Sequence, residues 1–164
     1  MKRLILMRHG EAVRPQAGLE DFDRSLDQEG RAEARRMGVA LAGAGFVPDL
    51  ALVSAARRTL ETWAAAAPAF PDDVAVEQGR RFYAASAATL SIAVSEAAER
   101  AETIMVVGHN PGIHQYAVHL CIQAGGPSLY RFPTGSAAVF AFDGEGRPHF
   151  EQALMAKDLR DKVR

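Results

Sequence analysis

The residues most able to do chemistry in this chain fall in three short stretches. Arg8-His9-Gly10 follows directly on the apolar run of residues 4–7. Ser54 closes a second apolar run and is followed by Arg57 and Arg58. Gly108-His109-Asn110-Pro111 closes a third. An arginine fork matches the oxygens of a phosphoryl group, and two such forks neutralise most of its charge. A neutral imidazole attacks phosphorus without a separate base. Its ring must be held in one tautomer, usually by a hydrogen bond from its other nitrogen to a carbonyl. Gly10 allows the tight backbone turn that supplies one. Helices starting after residues 54 and 110 would add oriented N–H groups. The set as a whole points to phosphoryl transfer through a phosphohistidine. Taken singly, His9 is as well explained as a structural histidine, Arg8 as a surface arginine, Ser54 as a helix cap and His109 as a helix-start residue. That account needs a separate reason at each strand end, whereas the chemical account covers all three. Arg57 and Arg58 point about 100° apart on a helix, so at most one easily faces a shared pocket.

For these residues to meet, the strands that carry them must be parallel neighbours. The run RLILMR reads as a strand buried on both faces. Residues 12–26 are polar and irregular. Asp27 has the character of an N-cap for an alanine-rich helix, with Gly30 tolerated early and Gly43 and Gly45 ending it. DLALVS, VAVE and ETIMVVG read as strands. AARRTLETWAAAA, residues 86–100 and the segment after Pro111 read as helices. GSAAVFAFD and RPHFEQAL form a hairpin across DGEG. The tail, residues 156–164, reads as charged and exposed. Strands alternating with helices predict an α/β fold, a three-layer sandwich with a largely parallel central sheet and an antiparallel edge hairpin. In such sheets ligands sit at the carboxyl ends of the strands.

The whole-chain properties bound the reading. A length of 164 residues with 48% hydrophobic and 24% charged residues suits one domain spanning 1–164. The net charge of -1 offers no basic field for nucleic acid. Residues 4–7 are too short to anchor in a membrane. The single Cys121 forms no internal disulfide and fits a reducing compartment. A cytoplasmic monomer is expected. His114 and His119 are five apart, a poor fit to the i, i+4 pair of a helical metal site, so no metal and no cofactor are expected.

At these residues the chain resembles the histidine phosphatase (phosphoglycerate mutase-like) superfamily, and within it the small SixA-type phosphohistidine phosphatases. LILMRHGEA, DFDRSLDQEG, SAARRTLET, FYAAS, VVGHNPGI and FPTGSAAVFAFD each resemble a family segment, nearly end to end. The resemblance implies the phosphoglycerate mutase-like fold. It implies that His9 accepts the phosphoryl group, that Arg8 and Arg58 clamp its oxygens, and that His109 stabilises charge in the transition state. Arg58 rather than Arg57 fits the S-x-x-x-R spacing from Ser54. Arg24 is a substrate-binding candidate at the pocket mouth, with a surface salt bridge to Asp21 or Asp27 as the equal alternative. Glu11 is expected to be structural.

Larger family members carry an acidic residue after the strand that corresponds to VAVE, and it protonates the leaving oxygen. Here that segment is RFYAASAATLS, without a carboxylate. A missing general acid slows ester hydrolysis by about 10²–10⁴-fold. Imidazole, with a pKa near ~6.5, can carry its own proton and leave neutral. The short segment also leaves no room for a cap. The expected substrate is therefore a phosphohistidine displayed on a protein of phosphotransfer or phosphocarrier type. Two alternatives stand beside it. One is a broad small-molecule phosphomonoesterase, with Glu11, Glu20, Asp21 or Asp23 acting as acid. The other is a non-catalytic phospho-binding module.

Overall fold

The computed structural model describes residues 1–162. Six strands form one sheet: β1 (Arg3–Arg8), β2 (Leu50–Ser54), β3 (Ala75–Gly79), β4 (Thr103–Gly108), β5 (Ala137–Phe142) and β6 (Pro148–Leu154). Their order is β3-β2-β4-β1-β5-β6. β3, β2, β4 and β1 are parallel, and β5 and β6 add an antiparallel edge. The helices are α1 (Gln28–Gly43), α2 (Arg57–Ala66), α3 (Ala87–Ala97) and α4 (Gly112–Gln123). This is the expected α/β sandwich.

The apolar strands explain the layers. Successive side chains of a strand face opposite ways. Leu4, Leu6, Leu52, Ile104 and Val106 therefore join Leu90, Val94, Ile113 and Leu120 of α3 and α4 in one buried cluster. Ile5, Met7, Val53, Met105 and Val107 join Met37, Leu41 and Trp63 of α1 and α2 in the other. The central strands are covered on both faces, which is why they read as continuous apolar runs rather than alternating ones.

Two local features differ from expectation. Gly30 is required rather than tolerated. Asp27 caps α1 as expected, its side chain accepting from Gly30 N at 2.8 Å. At Gly30 and at Gly10, however, a Cβ would run into the other segment's backbone, Glu11 and Gly30 respectively. The turn after β1 thus rests directly on the first turn of α1. The tail also differs: a 3-10 segment, Ala156–Lys162, buries Ala156 and Leu159 against the α1 and α2 side of the sheet. Two apolar residues spaced three apart suffice to dock it, a signal masked by the surrounding charges. Val163 and Arg164 lie outside the described residues. Among the described residues no helix is long and apolar enough to cross a membrane.

Candidate active site

β1 and β4 lie side by side with Arg8 opposite Gly108, so His9 and His109 leave the sheet together. Their ring centroids are 5.3 Å apart. β2 flanks β4 and brings Ser54 and the start of α2 to the same edge. A pocket of about 360 Å³ opens there, lined by Arg8, His9, Asp21, Arg58, Tyr83 and His109 among others. The four residues central to the sequence reading are brought together.

His9 is buried at the pocket floor. Its Nδ1 lies 2.7 Å from the Gly10 carbonyl oxygen and donates to it. Its Nε2 accepts from Arg58 Nε at 3.3 Å. Only a neutral ring protonated at Nδ1 can do both. Burial pushes His9 down to about 3, and the nearby Arg58 and Arg8 charges push the same way against the Gly10 bond. At neutral pH the ring therefore presents an Nε2 lone pair. Thr62 braces this turn, accepting from Gly10 N at 3.1 Å and donating to the Arg58 carbonyl at 2.6 Å.

Arg58 is buried, whereas Arg57 faces outward and pairs with Glu61 at 2.9 Å. The choice between the two is settled in position by the 100° offset between adjacent helical residues. Arg8 donates from Nη1 to the Phe132 carbonyl at 3.1 Å, and its Nε is buried with no partner among the described residues. The loop that presents Phe132 is tied by Asn110 Nδ2, which donates to the same carbonyl at 2.9 Å. His114 supports that loop too, stacking on Phe132 and lying 2.7 Å from the Leu129 carbonyl.

His109 Nε2 lies 2.7 Å from Ser54 Oγ. That oxygen accepts from Ala56 N at 3.3 Å, and His109 Nε2 is the acceptor available to its hydroxyl proton. Ser54 thus donates to Nε2 and leaves the proton on Nδ1, which is buried with no partner among the described residues. Burial, reinforced by the Arg58 charge, pushes His109 down to about 4. The ring is a neutral donor. Ser54→Ala is expected to lower turnover roughly 10–100-fold by releasing this tautomer. Ser54→Thr, which keeps the hydroxyl, should recover most of the loss. Equal loss in both variants would show that packing, not the proton, is what Ser54 supplies.

From the sequence Asp21 is only a salt-bridge partner for Arg24 or a loop acid. Its carboxylate takes Arg58 Nη2 at 3.0 Å and the Tyr83 hydroxyl at 2.6 Å on Oδ2. Arg24 Nε and Nη2 reach Oδ1 at 3.0 and 2.9 Å. The Tyr83 bond above all, then Arg24 and Arg58, holds Asp21 well below the usual carboxylate range against its partial burial. Arg24 satisfies both of its alternatives, pairing with Asp21 and lining the pocket. Of the other loop carboxylates, Glu11 lines the pocket and its Oε2 accepts from the Thr134 hydroxyl at 3.2 Å, while Glu20 and Asp23 do not line it. Tyr83 was missed as a pocket residue. The signal available was the FYAAS stretch, whose tyrosine is brought to Asp21 across 62 positions of sequence. Among the described residues, no group of three or more His, Cys, Asp or Glu is placed to hold a metal ion.

Comparison with known proteins agrees with this geometry. The family model of the histidine phosphatase superfamily (branch 1) matches residues 4–83. An uncharacterized chloroplastic protein of Arabidopsis thaliana is 41% identical over 61 residues, 37% of this chain and 28% of that protein. An uncharacterized protein of Mycobacterium tuberculosis is 28% identical over 144 residues, 84% of this chain and 88% of that one. A crystal structure assigned as the phosphohistidine phosphatase SixA of Agrobacterium tumefaciens superposes with a TM-score of 0.81. It is 28% identical, with 93% of this chain and 97% of that one covered. The fold, the facing histidines and the matched segment agree: the chain is a phosphatase whose residues 4–83 resemble the histidine phosphatase superfamily and whose fold is that of the SixA structure.

Proposed function

We propose that the chain is a phosphohistidine phosphatase acting on a phosphohistidine-bearing protein of phosphotransfer or phosphocarrier type. In this reading residues 1–164 form one domain that works as a cytoplasmic monomer without metal or cofactor. The His9 Nε2 lone pair attacks phosphorus in line with the departing group. Arg8, Arg58 and the His109 Nδ1–H hold the equatorial oxygens as charge develops. The substrate's N–P bond breaks and its electron pair returns to the substrate ring. Water then attacks the phosphoenzyme, restoring His9 and releasing phosphate.

The observation that carries this reading is the state of Asp21. The carboxylate at the pocket mouth that faces Arg58 is held ionised by three donors, so it has no proton to give an alkoxide. A substrate that brings its own proton fits such a mouth. Only residues 80–86 separate β3 from α3, and among the described residues no cap domain closes the pocket over a small metabolite. The SixA assignment of the Agrobacterium structure supports the same class. Glu11, the other carboxylate lining the pocket, favours a second reading, a small-molecule phosphomonoesterase with Glu11 as acid. A paired assay separates them. The chain is offered a phosphohistidine-bearing carrier protein and, separately, a sugar phosphate. Fast loss of phosphohistidine with slow ester turnover supports the first. Faster ester turnover, lost in Glu11→Gln, establishes the second. No turnover of either, with the phosphoryl group bound, would leave a phospho-binding module.

A further inference from the structure

Asp21 does more than withhold a proton. Its carboxylate has about four acceptor positions; in the free protein Arg24 Nε takes one on Oδ1, with Nη2 in ion-pair contact beside it, and Arg58 and Tyr83 take two on Oδ2. Arg58 is equally committed. Its Nε donates to His9 Nε2, its Nη1 to the Asp21 carbonyl at 2.6 Å and its Nη2 to Asp21 Oδ2. A phosphoryl group seated against His9 competes for Arg58 directly. When Arg58 turns its fork to the phosphoryl oxygens, Oδ2 keeps Tyr83 and regains one open acceptor position. That position opens into the same pocket that holds His9.

We infer that Asp21 is a specificity-determining residue: with Arg58 drawn to the phosphoryl group, the Asp21 carboxylate accepts the N–H on the remote nitrogen of the substrate's phosphorylated imidazole and so favours phosphohistidine over phosphate esters. This rests on the phosphohistidine reading above and names the residue that enforces it. The charged and titratable groups facing Asp21 are Arg58 from α2, Arg24 from its own loop, Tyr83 from the segment after β3, and His109 from the end of β4. Arg24 and Tyr83 remain on the carboxylate after Arg58 is drawn away, so it stays an acceptor. An alkoxide-forming ester offers it no donor, only like charge. A phosphoimidazole protonated on its other nitrogen offers both a donor and a positive charge. The step balances without proton transfer. The His9 Nε2 lone pair forms the new N–P bond. The old N–P bond breaks, its electron pair returns to the substrate nitrogen, and the remote proton stays on the ring. Neutral imidazole leaves. Asp21 keeps the substrate ring protonated at a pH where it would otherwise lose that proton.

The test compares wild type, Asp21→Asn and Asp21→Glu between pH 5.5 and 8.5. Each receives a histidine-phosphorylated carrier protein and p-nitrophenyl phosphate, and the ratio of the two kcat/KM values is read. In Asp21→Asn the phosphohistidine-to-ester ratio should fall about 10-fold at pH 8 and recover by pH 5.5, where solvent protonates the ring instead. Asp21→Glu should restore much of the ratio. A ratio that does not move, whether both rates fall through a misplaced Arg58 or both rise through a freed one, overturns the inference. If wild type itself prefers the ester, the phosphohistidine reading fails first. If wild type prefers phosphohistidine and the ratio is the same in Asp21→Asn, the role of Asp21 alone fails.

Discussion

Replacing His9 by glutamine is expected to lower turnover at least about 10⁴-fold and to abolish the phosphoenzyme. His9 Nε2 is unprotonated, and its neutral ring is held by partners on both sides. Glutamine preserves a polar side chain of comparable size and leaves Arg8, Arg58 and His109 standing. The phosphoryl group should therefore still bind, and KM should change far less than kcat. The measurement is a rapid quench in alkali after mixing with labelled substrate. Phosphohistidine survives base and is lost in acid, so wild type should trap a base-stable, acid-labile label that His9→Gln lacks. A variant that keeps turnover within tenfold of wild type, or that carries the label on His109, would remove His9 from the acceptor role.

The second large effect is on stability. In the unfolded chain both histidines titrate near ~6.5. In the folded protein burial keeps His9 neutral down to about 3 and His109 down to about 4. Between those values the unfolded state binds protons that the native state refuses. Stability is therefore full above about pH 7 and falls as pH drops through that window. At pH 4.5 the pair together costs on the order of 5 kcal/mol. That is comparable to the whole stability of a typical domain, about 5–15 kcal/mol. Asp21 does not confuse the window, because a carboxyl held below its ordinary 3.8 loses its contribution only beneath that pH. Urea midpoints at pH 7.5, 6 and 4.5 should fall steeply, and the slope should flatten in a His9→Gln, His109→Gln double variant. A flat midpoint in wild type from pH 7.5 to 4.5 would mean that these rings are not held neutral.

The parts of this site that could be read from sequence are those set by local geometry. The burial of β1 on both faces follows from four apolar residues in succession, and the Asp27 cap from one residue type before a helix. Helical spacing allowed only one of Arg57 and Arg58 to face the pocket, and it was the resemblance to the family's S-x-x-x-R pattern that implied Arg58. Other contacts were hidden because no local pattern encodes them. Tyr83 reaches Asp21 across 62 positions, and Ser54 reaches His109 across 55. Ser54 in particular has a sufficient local explanation as a cap, which concealed its long-range partner. Gly30 was misjudged for a similar reason. Its constraint comes from Glu11 packed against it, not from the helix it occupies. The docked tail was misread because charge dominated its composition.

The placement of β1 beside β4 divides the centre into two materials. The amide of His9 is bonded to the Gly108 carbonyl at 3.1 Å and that of Arg8 to the Ser136 carbonyl at 2.9 Å, so the receiving side of the reaction is woven into the sheet. Asp21, Arg24 and Tyr83 stand instead on connecting segments outside the sheet. Changes in the loop of residues 12–26 can therefore alter what is admitted, and they reach the ring that receives it through Arg58, which bonds both Asp21 and His9. One half of the catalyst is as hard to alter as the core, and the other is as free to vary as a surface loop.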